Sequence, residues 1–314
     1  MSTPSTASIS PGVSKSRKRN RRVDGSLPVG GSRSAGYFFV VLYAVLLLLF
    51  GVIPTGYAIF LAVTKTGGGF AGILNFTRAF SDFRFLPAFQ HIAEFLAVWL
   101  SAEVVLILIL ALMLHSLATR TSAVFRFLFY MPGALAGAAS VLVWLFMLDP
   151  TLSPWHLLLK GFGFSQLNLV LLPGHLPFVF ALIAFWTGAG GWIVVMYGAL
   201  NNIPEELLEA AKLDGANAFQ TAVRIKLPLI KKWVAYMLIL SFAGGTQLFV
   251  EPQLVGQASA GLVSNTWAPN QLAYYIAFNN DNFNEAAAIS VILLVLGLVG
   301  ATFLVWRTKL FEIN

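Results

Sequence analysis

The sequence predicts an all-α membrane protein with six transmembrane helices, and composition and charge spacing together require it. The chain of 314 residues is 58% hydrophobic and only 11% charged, where an average soluble domain carries about 25% charged residues. Its charges are clustered. Stretches free of Asp, Glu, Lys and Arg lie between Arg33 and Lys65, Arg126 and Asp149, Lys160 and Glu205, Lys232 and Glu251, and Glu285 and Arg307. Each holds the roughly 17–25 residues needed to cross a hydrocarbon core. A sixth stretch, from about Ile92 to Leu114, is interrupted only by Glu94, Glu103 and a few small polar residues.

Taken in order, the expected spans are 37–63, 92–114, 127–148, 178–200, 234–250 and 287–306, within a membrane domain covering 37–314. The apolar segment 162–172 is short and runs into Pro173, Gly174 and Pro177. It is expected at the membrane surface rather than across it.

Charge fixes the orientation. With a cytoplasmic N-terminus, the cytoplasmic parts are the N-terminal tail, the loop around Arg120, the loop 201–232 and the C-terminus. Of the 20 basic residues, only Lys65, Arg78, Arg84 and Lys160 then fall outside. The positive-inside rule therefore puts both termini in the cytoplasm. The tail 1–36 is rich in Ser, Gly, Pro and basic residues, a composition that cannot bury a core. It is expected to be disordered, fixing topology and touching anionic headgroups; a regulatory docking tail or a nucleic-acid arm is the alternative. No signal peptide is expected, because the apolar segment after the basic run is too long and lacks a clear cleavage site.

Other classes are excluded or unsupported. There is no cysteine, hence no disulfide framework and no thiolate metal site. His91, His115, His156 and His175 are scattered without ligand spacing. The net charge of +7 follows membrane topology, so no nucleic-acid partner is expected. No metal site and no catalytic constellation is visible. A secondary transporter should show an inverted repeat or several paired intramembrane charges, and neither is apparent. A purely structural membrane scaffold also remains open.

One loop carries a pattern: NNIPEELLEAAKLDGANAFQTAVRIKLPLIKK over 201–232. Pro204 suits the first position of a helix, and Glu205, Glu206 and Glu209 follow where the helix dipole favours negative charge. Leu207, Leu208 and Ala211 cluster on one face. Gly215 stands where a helix ends in the left-handed conformation. A second short helix, 218–225, is expected to lead through Leu227-Pro228 back to the membrane. Alanines 210 and 211 leave room for a close partner. Two readings fit these residues: a knob received in a groove of a soluble protein, or a surface helix lying on headgroups.

Glu209-Ala210-Ala211, Gly215 and then Ile225-x-Leu227-Pro228 resemble the EAA loop of bacterial ABC importer permeases. The fuller string EELLEAAKLDGA is similar to the carbohydrate-uptake branch, the maltose and glycerol-phosphate type. FRFLFYMPGALAGAASVLVWLFMLDP, SFAGGTQLFVEPQLV and FNEAAAISVILLVLGLV resemble the family's third, fifth and last spans. The resemblance covers about residues 36–311 and lacks the large periplasmic insertion that some maltose-type permeases carry.

The resemblance implies a type I permease core and a bacterial cytoplasmic-membrane location. It also implies a second related permease, two copies of an ATP-binding subunit and an extracytoplasmic solute-binding protein. ATP-Mg belongs to the partner, since this chain has no G-x-x-x-x-G-K-[ST] phosphate loop, and no cofactor is expected here. Glu205, Glu209, Ala210, Ala211, Asp214, Gly215, Leu227 and Pro228 are the implied coupling residues. Thr187, Gly188, Gly191, Trp192, Ser241, Gly245 and Gln247 are the implied substrate path, with tight helix packing of the small residues as the alternative. This sequence has Gly245 and Leu248 where related permeases place asparagines in the fifth span. Glu103 is the one acidic residue deep in a predicted span; such a group is costly, so either function or pairing with a neighbouring helix explains it. Glu251 and Gln253 end the fifth span, at an outer gate or a binding-protein contact. Because the EAA loop is shared, polyamine, phosphate and osmolyte importers remain alternatives.

Overall fold

The computed structural model describes residues 33–135 and 137–308. The rest of the basic tail and Lys309 lie outside the described residues. Among those described, the chain is helical, with one isolated bridge between Thr64 and Phe70 in place of any strand.

Two units are present, the first ending at Ile53 and the second beginning at Pro54. The first holds α1 (Arg33–Leu47) and a π-turn at Leu48–Val52. Helix α1 thus starts before residue 36, the expected end of the tail. The second unit holds most of α2 (Ile53–Ala62), then α3 (Leu74–Ser81), α4 (Phe85–Ser116), α5 (Thr119–Tyr130), α6 (Gly137–Leu148), α7 (His156–Gly161) and α8 (Leu167–Val170). It continues with α9 (Leu176–Asn201), α10 (Glu205–Leu213), α11 (Ala218–Thr221), α12 (Leu227–Gly245), α13 (Val250–Ala258), α14 (Pro269–Phe278) and α15 (Phe283–Thr308).

Five helical stretches are long and apolar enough to cross a membrane: Val40–Ala62, Phe85–Ser116, Pro173–Asn201, Ala218–Gly245 and Phe283–Thr308. Even the best covered, Pro173–Asn201, has only 39% of its most apolar window buried. The remaining apolar surface needs hydrocarbon, and helices satisfy the backbone polar groups that hydrocarbon cannot.

The expected third span, 127–148, is not one helix. Thr119–Ala134 and Gly137–Leu148 meet at 101°, so a sixth crossing exists only if this broken pair counts as one. Pro132 explains the break: it has no N–H to give, and its ring collides with the preceding turn. The last turn before the break tightens into a 3-10 helix at Met131–Ala134. The expected fifth span, 234–250, also differs. Helix α12 ends at Gly245, residues 246–249 are unwound, and α13 starts at Val250. Paired glycines at 244 and 245 weaken the helix there.

The packing order gives helix directions. One cluster joins Ile92, Phe95, Leu96 and Trp99 of α4 to Leu176, Val179, Phe180 and Ile183 of α9, with Leu248 beyond α12. A second joins Ile107, Ala111 and Leu114 of α4 to Ile193, Met196 and Leu200 of α9, with Ile230 and Met237 of α12. Helices α4 and α9 meet the clusters in the same order and so run parallel; α12 meets them in reverse and runs antiparallel. Val170 and Leu171, expected at the membrane surface, are buried in the first cluster. A third cluster packs α3 and the start of α4 against α14 and α15.

Candidate functional site

Two features stand out, a charged helix at one end of the bundle and a cavity at the break after α12. The charged helix is α10. Pro204 is its N-cap rather than its first helical residue, with ψ of 133°. Glu205, Glu206, Glu209, Ala210 and Asp214 are exposed, and Leu213 is 89% exposed. Ala211 is buried, so of the two alanines only Ala210 is open to a partner.

Gly215 terminates α10 with φ of +77°. Its N–H donates to the Lys212 carbonyl at 3.1 Å, and the Ala216 N–H donates to the Ala211 carbonyl at 2.9 Å. These two bonds form a Schellman motif, which needs a left-handed residue at Gly215. Asn217 then caps the next helix. Its side chain accepts from the Gln220 N–H at 2.8 Å, while the Gln220 side chain accepts from the Asn217 N–H at 2.9 Å. The N-x-x-Q spacing over 217–220 is the sequence signal for this reciprocal box.

The expected second short helix, 218–225, does not stop there. Helix α11, a π-turn at Ala222–Lys226 and α12 form one helical stretch, Ala218–Gly245. Leu227 and Pro228 therefore lie inside that stretch and mark no chain reversal. Proline in a helix interior clashes with the carbonyl four residues back. The wider π-turn just before Pro228 accommodates it.

The cavity, of about 370 Å³, lies between α4, α9 and the unwound residues after α12. Thr187, Gly188, Gly245 and Gln247 line it, together with Phe95, Trp99, Leu248 and Glu251. Unwound backbone is tolerated at membrane depth where it borders a cavity. The other four expected path residues are elsewhere. Gly191 is exposed with nothing near its Cβ direction, and Trp192 packs edge-on to Tyr236 at 6.0 Å. Glu103 and Ser241 are buried side by side, and among the described residues no hydrogen bond of good geometry reaches Glu103 Oε2 or Ser241 Oγ. They lie one helical turn from Trp99 and Gly245 respectively. Phe95 and Trp99, stacked at 5.4 Å, were missed; their i, i+4 spacing in an apolar span was the available signal.

Comparison with known proteins decides the family. The family model described as the inner membrane component of binding-protein-dependent transport systems matches residues 103–312, about two-thirds of the chain. The chain belongs to this family. As one of its inner membrane components, the chain is a multi-pass transport protein. It is 31% identical over 284 residues to the diacetylchitobiose uptake system permease protein of Streptomyces coelicolor, covering 83% of this chain and 78% of that one. It is 27% identical over 272 residues to the arabinooligosaccharides transport system permease protein of Bacillus subtilis, covering 85% and 86%. The sn-glycerol-3-phosphate transport system permease protein of Escherichia coli is 26% identical over 281 residues, covering 87% and 94%. Among solved structures, a bacterial ABC transporter that imports the acidic polysaccharide alginate superposes with a TM-score of 0.75 at 18% identity, covering 89% of this chain and 96% of that one. That likeness establishes the permease fold.

Proposed function

We propose that this inner membrane component forms half of the translocation pathway of an ATP-driven importer for a sugar or sugar-like solute. In this reading a second, related permease forms the other half. An extracytoplasmic binding protein delivers the solute, and two copies of a separate subunit hydrolyse ATP. The chain crosses the bacterial cytoplasmic membrane six times, with the α5–α6 pair as one broken span and both termini inside.

The observation that carries the reading is α10: a short, acid-bearing helix, exposed and bounded on both sides by spans, with its exit angle set by Gly215. Glu205, Glu209 and Asp214 suit docking into a cleft of the ATP-binding subunit. Closure of two such subunits then moves α10, and the spans tied to it follow as rigid bodies. The sugar assignment rests on what the relatives carry and on the cavity, where aromatic faces and a few polar groups suit a sugar ring and its hydroxyls.

The test is to isolate the chain from mildly solubilised native membranes and identify what remains bound. Recovery of a phosphate-loop ATPase and a second permease supports the reading, and a co-purifying binding protein supplies the solute. Recovery of the chain alone, under conditions that keep a known importer together, overturns it.

A further inference from the structure

A second and larger cavity, of about 590 Å³, lies away from the α12 break, where the end of α4 meets α10, α11 and the π-turn. Its chemistry differs from the first. The polar side chains on its wall are His115 and Ser116 of α4, Lys212 of α10, Thr221 of α11 and Lys226 of the π-turn. No carboxylate lines it. Lys226 Nζ donates to His115 Nδ1 at 3.0 Å, so its direct partner is a neutral ring and its charge stays uncompensated. Ser116 already donates its hydroxyl proton to the Met113 carbonyl at 2.7 Å, which leaves the two ammonium groups and Thr221 as the donors of the wall. The Arg84–Asp82 ion pair lies far along the chain from this cavity.

Two like charges on one wall, without a counter-charge, repel each other and favour an anion between them. The rest of the lining is apolar, with Leu112, Met113, Leu208 and Phe219. The volume is in the range of cavities that hold small ligands. A ligand with an anionic head and a short apolar stem satisfies both halves of the wall.

We propose that this cavity is a phosphate-binding site on the α10 side of the permease, holding the phosphate of an anionic lipid headgroup or of a small soluble phosphate ester between Lys212 and Lys226. A phosphate there bridges α10, through Lys212, to α4 and the π-turn, through Lys226 and its partner His115. It tightens α10 against the bundle, so its occupancy sets how firmly movements of α10 reach the spans. The site depends on the function proposed above only for which side of the membrane it faces; binding itself does not depend on that function.

The test is native mass spectrometry of the purified protein, with whatever subunits stay attached, after exposure to phosphatidylglycerol, phosphatidylcholine, inorganic phosphate or glycerol phosphate. Retention of phosphatidylglycerol but not phosphatidylcholine identifies a lipid headgroup site. Retention of the soluble phosphates identifies a site for a cytosolic ester. In either case Lys212→Gln/Lys226→Gln lowers occupancy about tenfold or more, as expected for loss of charge-assisted bonds, and Lys212→Arg/Lys226→Arg retains it. Should the double variant fail to assemble, Lys212→Gln alone serves, because Lys212 is exposed and on a surface helix; it lowers occupancy several-fold. Wild-type protein that retains no phosphate-bearing ligand, or glutamine variants that retain it as wild type does, overturns the proposal even if the importer assembles and transports normally.

Discussion

Gly245 of α12 lies against Trp99 of α4 with no room for a side chain: a Cβ there would enter the indole ring and come within 2.6 Å of Leu96 Cδ2. Both residues line the cavity at the break after α12. Glu103 and Ser241, one helical turn away on α4 and α12, are buried and do not line it. A glycine is therefore needed at 245 for close approach of two helices, whatever the solute.

Gly245→Ala is expected to lower stability by about 1–3 kcal/mol through overpacking, seen as a lower thermal midpoint of the solubilised protein. Gly188, on the facing α9 wall, has nothing within 4 Å of its Cβ direction. Gly188→Ala should keep or raise the midpoint, since alanine is favoured over glycine in a helix by roughly 0.5–1 kcal/mol, while uptake into vesicles falls because the cavity narrows. Equal midpoints for the two variants would show that the Trp99 contact is not tight.

The same logic separates Gly190 from Gly191. A Cβ on Gly190 would strike the backbone carbonyl of Phe129, and a Cβ on Gly133 would come within 2.9 Å of the Thr187 carbonyl oxygen, so the end of α5 and the 3-10 turn after it cross α9 backbone to backbone. Backbone cannot rotate aside. Gly190→Ala is expected to cost more than Gly245→Ala and to reduce the amount of folded protein recovered, whereas Gly191→Ala, like Gly188→Ala, is expected to leave the yield unchanged and to keep or raise the midpoint. Fluorescence-detected size exclusion of the variants gives the comparison directly.

These pairs show what the sequence could and could not convey. Hydropathy alone marks the long helices, because a run of uncharged residues such as 286–306 has one stable environment. The glycine at 215 was also legible: an acidic first turn, a basic last turn and then glycine leave little choice of where α10 stops. The run of small residues at 188–191 was ambiguous, since the same composition serves close packing at Gly190 and open space at Gly188 and Gly191. Only the three-dimensional neighbours divide them. The break within 127–148 and the continuous path through Pro228 are the reverse of what the sequence led one to expect at these two prolines. At Pro132 the helix yields, while at Pro228 a π-turn absorbs the clash. Which outcome occurs depends on tertiary packing that a local window does not contain.

The short link before α4 carries an ion pair. Arg84 Nη2 and Nε donate to the Asp82 carboxylate at 2.6 and 2.9 Å, and the Arg84 N–H donates to it at 2.8 Å. The Arg84 guanidinium also lies 4.9 Å from the Tyr275 ring centre, tying this link to α14. The side-chain hydrogen bond from Arg84 holds the Asp82 carboxyl below its ordinary value, against a smaller opposing effect of burial. A depressed folded-state value stabilises the protein above the unfolded value of about 3.9, and that contribution is lost as pH falls through the lower folded value. Solvent reaches the pair, so its worth is expected to stay under about 1 kcal/mol. Between pH 7 and pH 3 the thermal midpoint of wild type should therefore drop slightly more than that of Asp82→Asn. An equal drop would show that the pair contributes nothing.

At Gly215 the backbone conformation and the transmission of force can be tested together. Its φ of +77° is open to glycine, tolerable for asparagine, and strained for other residues. No atom lies within 4 Å of its Cβ direction, so a substitution there is penalised by conformation and not by collision. Gly215→Asn should retain most of the wild-type uptake, Gly215→Ala should lose part of it at a cost of about 1 kcal/mol, and Gly215→Val, β-branched, should lose the most. Removing the neighbouring cap with Asn217→Ala should cost about 1 kcal/mol of local stability while leaving the Schellman turn intact. If α10 transmits movement through the angle set at Gly215, uptake per assembled complex follows the order Asn, Ala, Val, and Asn217→Ala stays close to wild type. If asparagine and valine prove equally damaging, the left-handed turn is not what matters, and loss of the small size of glycine at a partner's surface becomes the explanation.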